Sequence, residues 1–169
     1  VAASPAPKVL FRRSPTVADR IPGDVRRVSL AVEDTGGIVG TLHAVLEVWT
    51  DSDWDLQYWT SIPGIPDRSG KAKIITNDLI EQRDSHLAIG KRVVALAWVE
   101  GGKKDGAYRL KVATKKTSDR DFTKPVAALT SERPIAKPLV IVGRGGMLAD
   151  RVSVYFTLLG GPQGRNGKV

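Results

Sequence analysis

Cysteine is absent from this 169-residue chain, which excludes a disulfide framework and any thiolate metal site. Histidine is scarce, with only His43 and His86. Nucleophile–base chemistry needs an activated group and a positioned partner, and nothing local gathers a Ser, a His and a carboxylate. No catalytic residue is therefore assigned, and both histidines are read as structural or exposed. No apolar run approaches the roughly 20 residues that cross a bilayer as a helix, so no membrane partner is expected. The glycine run Gly143-Arg144-Gly145-Gly146 lies between two late strand patterns. A dinucleotide loop needs a preceding parallel strand and a following helix, so this run reads as a plain loop.

What is present fits one folded domain: 41% of residues are hydrophobic and 26% charged. The net charge is +8 and unevenly spread. Residues 1–85 carry 10 Lys/Arg against 12 Asp/Glu, whereas residues 86–169 carry 16 against 6. A basic half of this kind favours a polyanionic partner such as nucleic acid.

Residues 1–27 read as a flexible arm, because Pro5, Pro7, Pro15 and Pro22 interrupt regular structure among several arginines. Short β-branched and alternating runs then follow, separated by turn residues. Strands are expected at Val28–Glu33, Ile38–Trp49, Leu56–Thr60, Ala72–Thr76, Arg92–Glu100, Ala107–Lys115, Pro138–Gly143 and Arg151–Leu159. The run Arg92–Glu100 is apolar on both faces and reads as a central, fully covered strand, with Ala107–Lys115 as its hairpin partner. One short helix is expected over Asn77–Leu87, from the spacing of Leu79, Ile80 and Leu87 and an Asp78/Glu81 capping pair. No internal repeat is evident. The expected fold class is all-β: an antiparallel β-sandwich of the jelly-roll kind over residues 28–160, with a flexible tail over 161–169.

Alternation places Arg109, Lys111 and Lys115 on one face of the hairpin, a geometry that tracks a phosphate backbone. With Arg12, Arg13, Arg26 and Arg27 in the arm, and Lys103, Lys104 and Lys116 around the hairpin, they form the candidate nucleic-acid-binding set. No aromatic ladder accompanies them, so the binding expected is independent of sequence. Asp51, Asp53 and Asp55 resemble the opening of a calcium loop, but Leu56 and Ile62 stand where an EF-hand needs Gly and Glu. They are kept as weak candidates for a structural divalent cation at a subunit contact, and no other cofactor is expected. Trp49, Trp54, Tyr58 and Trp59 cluster in a short stretch suited to a core, an interface or a sugar platform.

The segment Lys137–Leu159, an apolar strand, a loop and a closing alternating strand, resembles the end of small plant-virus coat proteins of the bromovirus and cucumovirus type. Arg27–Trp49 is similar to the early strand–turn–strand of those shells. The resemblance implies a structural coat protein that self-assembles into a homo-oligomeric icosahedral shell and holds packaged single-stranded RNA through basic residues. Its place would be the virion and the host cell cytoplasm. The alternative is a non-assembling module: a movement-type binder of single-stranded nucleic acid, or a carbohydrate-binding sandwich using Trp54 and Trp59.

Overall fold

The computed structural model describes residues 24–33, 40–50, 53–61, 73–76, 78–102, 106–145, 149–160 and 165–168. They form antiparallel strands, and no helix occurs among the described residues. The strands are β1 (Val25–Glu33), β2 (Thr41–Thr50), β3 (Asp53–Ser61), β4 (Lys73–Ile74), β5 (Gln82–Ile89), β6 (Val93–Gly102), β7 (Ala107–Lys116), β8 (Val126–Ser131), β9 (Ile135–Gly145), β10 (Ala149–Leu158) and β11 (Arg165–Lys168). The all-β antiparallel class is as the sequence leads one to expect.

Each sheet is a meander of consecutive strands: β1-β2-β3-β4 (sheet A), β5-β6-β7-β8 (sheet B) and β9-β10-β11 (sheet C). A jelly roll needs Greek-key pairing of strands distant in sequence. Among the described strands every hydrogen-bonded pair joins chain neighbours, so the connectivity is that of stacked meanders.

Sheet B is the middle layer, and β6 explains why. Val94, Leu96 and Trp98 face sheet A and pack with Val45, Leu56 and Tyr58. Ala95, Ala97 and Val99 face the other way and pack with Val140, Val154 and Phe156 of sheet C. A strand covered on both faces reads as a continuous apolar run, which is the pattern seen in the sequence. Burying such side chains contributes on the order of 1.5–3 kcal/mol each, so β6 anchors both cores.

The expected helix over Asn77–Leu87 is not formed: residues 78–81 bend and Gln82 begins β5. The polar side chains that hid this strand are used across the sheets. Gln82 Oε1 accepts from Trp98 Nε1 at 2.5 Å, and Ser85 donates to Glu47. Two further strands, β8 and β11, lie in segments expected to be loop and tail, and β1 begins at Val25, inside the expected arm.

The three meanders are repeats. Their first strands start at Val25, Gln82 and Ile135, a spacing of about 55 residues, and the details recur at equivalent positions. The bond from Trp49 N to Asp24 O (2.8 Å) is repeated from Gly101 N to Glu81 O (2.9 Å) and from Leu159 N to Pro134 O (2.9 Å). Asp84 and Lys137 match in place, and both adopt left-handed backbone at φ 53 and φ 51. Each first strand carries a register shift near its start, in its own chain or opposite it. Arg26 stacks over Trp54 at 4.4 Å, as Arg83 stacks over Tyr108 at 5.1 Å.

Contacts between sheets concentrate on the first strands: β5 packs on β1, β2 and β3, and β9 packs on β5, β6 and β7. The three sheets thus stack face to face, A on B and B on C, as the layers of an antiparallel β-sandwich, the class expected from the sequence.

Candidate anion-binding surface

The two ends of the stacked sheets differ in how they use charge. At the end where β1 and β5 start, cations are consumed internally. Glu47 is buried at 1% exposure and accepts from Arg26 Nε (2.8 Å), Ser85 N (2.6 Å) and Ser85 Oγ (2.9 Å). Arg26 also donates to Glu81 Oε1 (2.8 Å) and to the Gln82 carbonyl (2.6 Å). Burial works against its charge, but the bonds to Glu47 and Glu81 outweigh it and push its pKa up. Arg27 pairs with Asp84 at 3.0 Å. Glu100, almost buried, faces both Arg109 (3.5 Å) and Lys111 (3.4 Å).

The alternation of Arg109, Lys111 and Lys115 does hold, but the face they share looks into the A–B interface. Lys115 is 6% exposed, donates to the Asp119 carbonyl at 2.9 Å and lies 5.3 Å over the Tyr58 ring. Burial lowers its pKa, with Lys73 adding repulsion and Glu33 and Asp119 opposing. Beside it, the Tyr58 hydroxyl donates to His43 Nδ1 at 2.5 Å, and His43 Nε2 points to Glu33 at 3.4 Å. Burial raises the Tyr58 pKa and lowers that of His43, holding a neutral phenol and a neutral imidazole. That is the wrong direction for an activated phenolate, and the group reads as a satisfied buried network.

The opposite end of sheet B is open. Lys91, Arg92, Lys116, Arg120 and Lys124 are all exposed there, and none is in an ion pair among the described residues. The fold brings them together: Val93 pairs with Lys116, Thr117 N donates to Arg92 O (2.9 Å), and Thr123 N donates to Thr114 O (2.7 Å). Arg151 of β10 is not part of this group: Asp150 Oδ2 accepts from Arg92 N at 2.7 Å and Val152 packs into the B–C core, so the residue between them faces the other side of sheet C. Of the acids nearby, Asp121 pairs with Lys73, while Asp150 and Asp119 accept from the Arg92 N–H and the Ser118 hydroxyl. Five cations thus stand around this end, none in an ion pair among the described residues.

Of the expected nucleic-acid set, Lys116 alone lies in this group. Arg26, Arg27, Arg109, Lys111 and Lys115 are held by acids or buried at the A–B seam. Arg12, Arg13, Lys103 and Lys104 lie outside the described residues. Arg120, at the exit of the basic hairpin, joins Lys116 there; sequence reasoning missed Lys91, Arg92 and Lys124 because they fall in separate turns. The one usable signal was the charge excess of the second half.

The acidic candidates lie at the β2–β3 turn. Asp51 lies outside the described residues, and Asp55 accepts from the hydroxyls of Thr50 (2.5 Å) and Thr76 (3.2 Å). Burial raises the pKa of Asp53, with Asp55, Asp78 and Glu81 adding to it. No group of three or more His, Asp or Glu placed to hold a metal occurs among the described residues. Of the tryptophans, Trp59 is buried on the outer face of sheet A, and Trp49 meets Trp54 edge-on. No family model, no curated protein and no solved structure matches this chain.

Proposed function

We propose that this chain is a β-scaffold that binds single-stranded nucleic acid without sequence preference, through the cationic end of sheet B. The carrying observation is the group Lys91, Arg92, Lys116, Arg120 and Lys124, exposed and in no ion pair among the described residues. Cations already neutralised by a buried carboxylate release no counterions from a phosphate backbone, whereas free ones do. The binding is sequence-independent in this reading, because Phe122, the aromatic nearest this end, is engaged edge-on with Tyr58 rather than offered to a base. The expected shell subunit drew on a jelly roll, and the meander connectivity lends it no support, so the reading rests on charge alone.

The test is fluorescence anisotropy with a labelled single-stranded RNA oligonucleotide. A Lys91→Gln/Arg92→Gln/Lys116→Gln variant is expected to lose affinity by roughly 10–100-fold at low salt, since three of the proposed phosphate contacts are removed. An Arg109→Gln/Lys111→Gln variant is expected to bind nearly as the parent does. Equal binding by the triple variant, or loss confined to the second one, overturns the proposal.

A further inference from the structure

The repeat makes each side chain's exposure comparable with that of its counterparts. Leu30 of β1 occupies the place of Leu87 in β5 and Val140 in β9. The last two are 3% and 2% exposed, each facing the sheet before it, while Leu30 is 60% exposed. Val32, at 62%, stands where Ile89 and Val142 pack into the cores. Sheet A therefore carries, along its first strand, core positions that no preceding sheet covers among the described residues.

The other end of the stack is complementary. Leu139 and Ile141 of β9 point away from sheet B and are 45% and 47% exposed. Their counterparts one sheet earlier are His86, which accepts from Val140 N, and Ala88, which packs into the B–C core. One sheet earlier again they are Ser29, which accepts from Leu87 N, and Ala31, packed into the A–B core. The positions that bind the next sheet in A and B are thus open and apolar in sheet C. At Leu139 the acceptor seen at Ser29 and His86 is replaced by hydrocarbon, so the contact there is apolar.

We propose that two copies of this chain associate head to tail, the exposed β9 patch of sheet C on one copy (Leu139 and Ile141) seated against the β1 face of sheet A on the other. The contact reproduces the two interfaces already inside the chain, β1 against β5 and β5 against β9. Its location fits the pattern of cover on sheet A. Leu46, Val48 and Trp59 on the outer strands are buried, while Val28, Leu30 and Val32 along β1 are open, so the partner meets first strand with first strand. In this arrangement the head-to-tail contact is made twice and closes on two copies. Two copies then give a ring of six sheets, within the four to eight blades usual for a β-propeller, and cover the open first-strand patches of both end sheets.

The absence of native cysteine supplies a clean test. Leu30→Cys and Ile141→Cys variants of the full chain are prepared separately, checked for parental circular dichroism, and oxidised alone and mixed. The mixture is expected to give a disulfide-linked pair, while each variant alone stays uncrosslinked, because like faces never meet in a head-to-tail ring. Unmodified protein in sedimentation equilibrium is expected at twice 18.2 kDa, and Leu30→Arg and Ile141→Arg each at the single-chain mass. Crosslinking within one variant alone, a single-chain mass for the parent at high concentration, or a dimer broken by only one of the two arginines would overturn the proposal. None of these readouts depends on nucleic acid.

Discussion

Glu47→Ala probes the seam that fixes sheet A on sheet B. The carboxylate is 1% exposed and accepts three bonds, two from Ser85 (2.6 and 2.9 Å) and one from Arg26 (2.8 Å). Truncation leaves the buried Ser85 N–H without an acceptor, which costs about 1–3 kcal/mol. It also removes one partner of a half-buried guanidinium, a loss of up to 3–5 kcal/mol where nothing else compensates. Here Arg26 keeps Glu81 and the Gln82 carbonyl, so the total settles near 3 kcal/mol rather than at the sum. For a chain of this size that is a fall in Tm of about 6–12 °C. Urea unfolding followed by tryptophan fluorescence measures it, with an unchanged m value expected. Glu47→Gln, which keeps one acceptor oxygen, is expected to cost about half as much. A loss below about 1 kcal/mol for the alanine variant would refute the claim that this carboxylate holds the bulge at Asp84 and Ser85.

Two further outcomes follow from buried groups. Burial lowers the pKa values of both His43 and His86, with Lys115 adding to the first and Arg27 to the second. Below about pH 6.5 the unfolded chain takes up protons that the folded chain refuses, so stability falls as pH drops from 7 towards 5, read by thermal unfolding across that range. His86→Gln, which keeps an acceptor for Val140 N, is expected to flatten part of this slope; an unchanged slope would remove His86 from it. Trp98→Phe, at a site with 0% exposure, removes ring volume and strands Gln82 Oε1, and is expected to cost about 2–3 kcal/mol in urea unfolding.

The sequence was most legible where a strand's pattern reports its own burial. β6 is apolar on both sides and is packed against two sheets, and β7 pairs with it as a hairpin. β5 was hidden because its segment Gln82-Arg83-Asp84-Ser85-His86 is polar for reasons three-dimensional in origin: Gln82 reaches Trp98, Ser85 reaches Glu47, and His86 reaches the Val140 amide. Alternation correctly grouped Arg109, Lys111 and Lys115, yet period two says only that residues share a face, not what that face meets. In a three-layer stack it meets another sheet. The repeat is carried in the sequence by Leu30, Leu87 and Val140 and by Val32, Ile89 and Val142, but uneven spacing and little other likeness hide it. The left-handed backbone at Asp84 and Lys137 adds no signal, where glycine would have announced it.

The most direct test of the nucleic-acid reading is the salt dependence of RNA binding. With all five cations of the open end at phosphates, log K against log salt is expected to fall with a slope of about −3.5, some 130-fold between 50 and 200 mM. Neutralising Lys91, Arg92 and Lys116 should bring that slope to about −1.4. A slope near zero, or one that stays the same in the triple variant, would contradict the assignment of this surface.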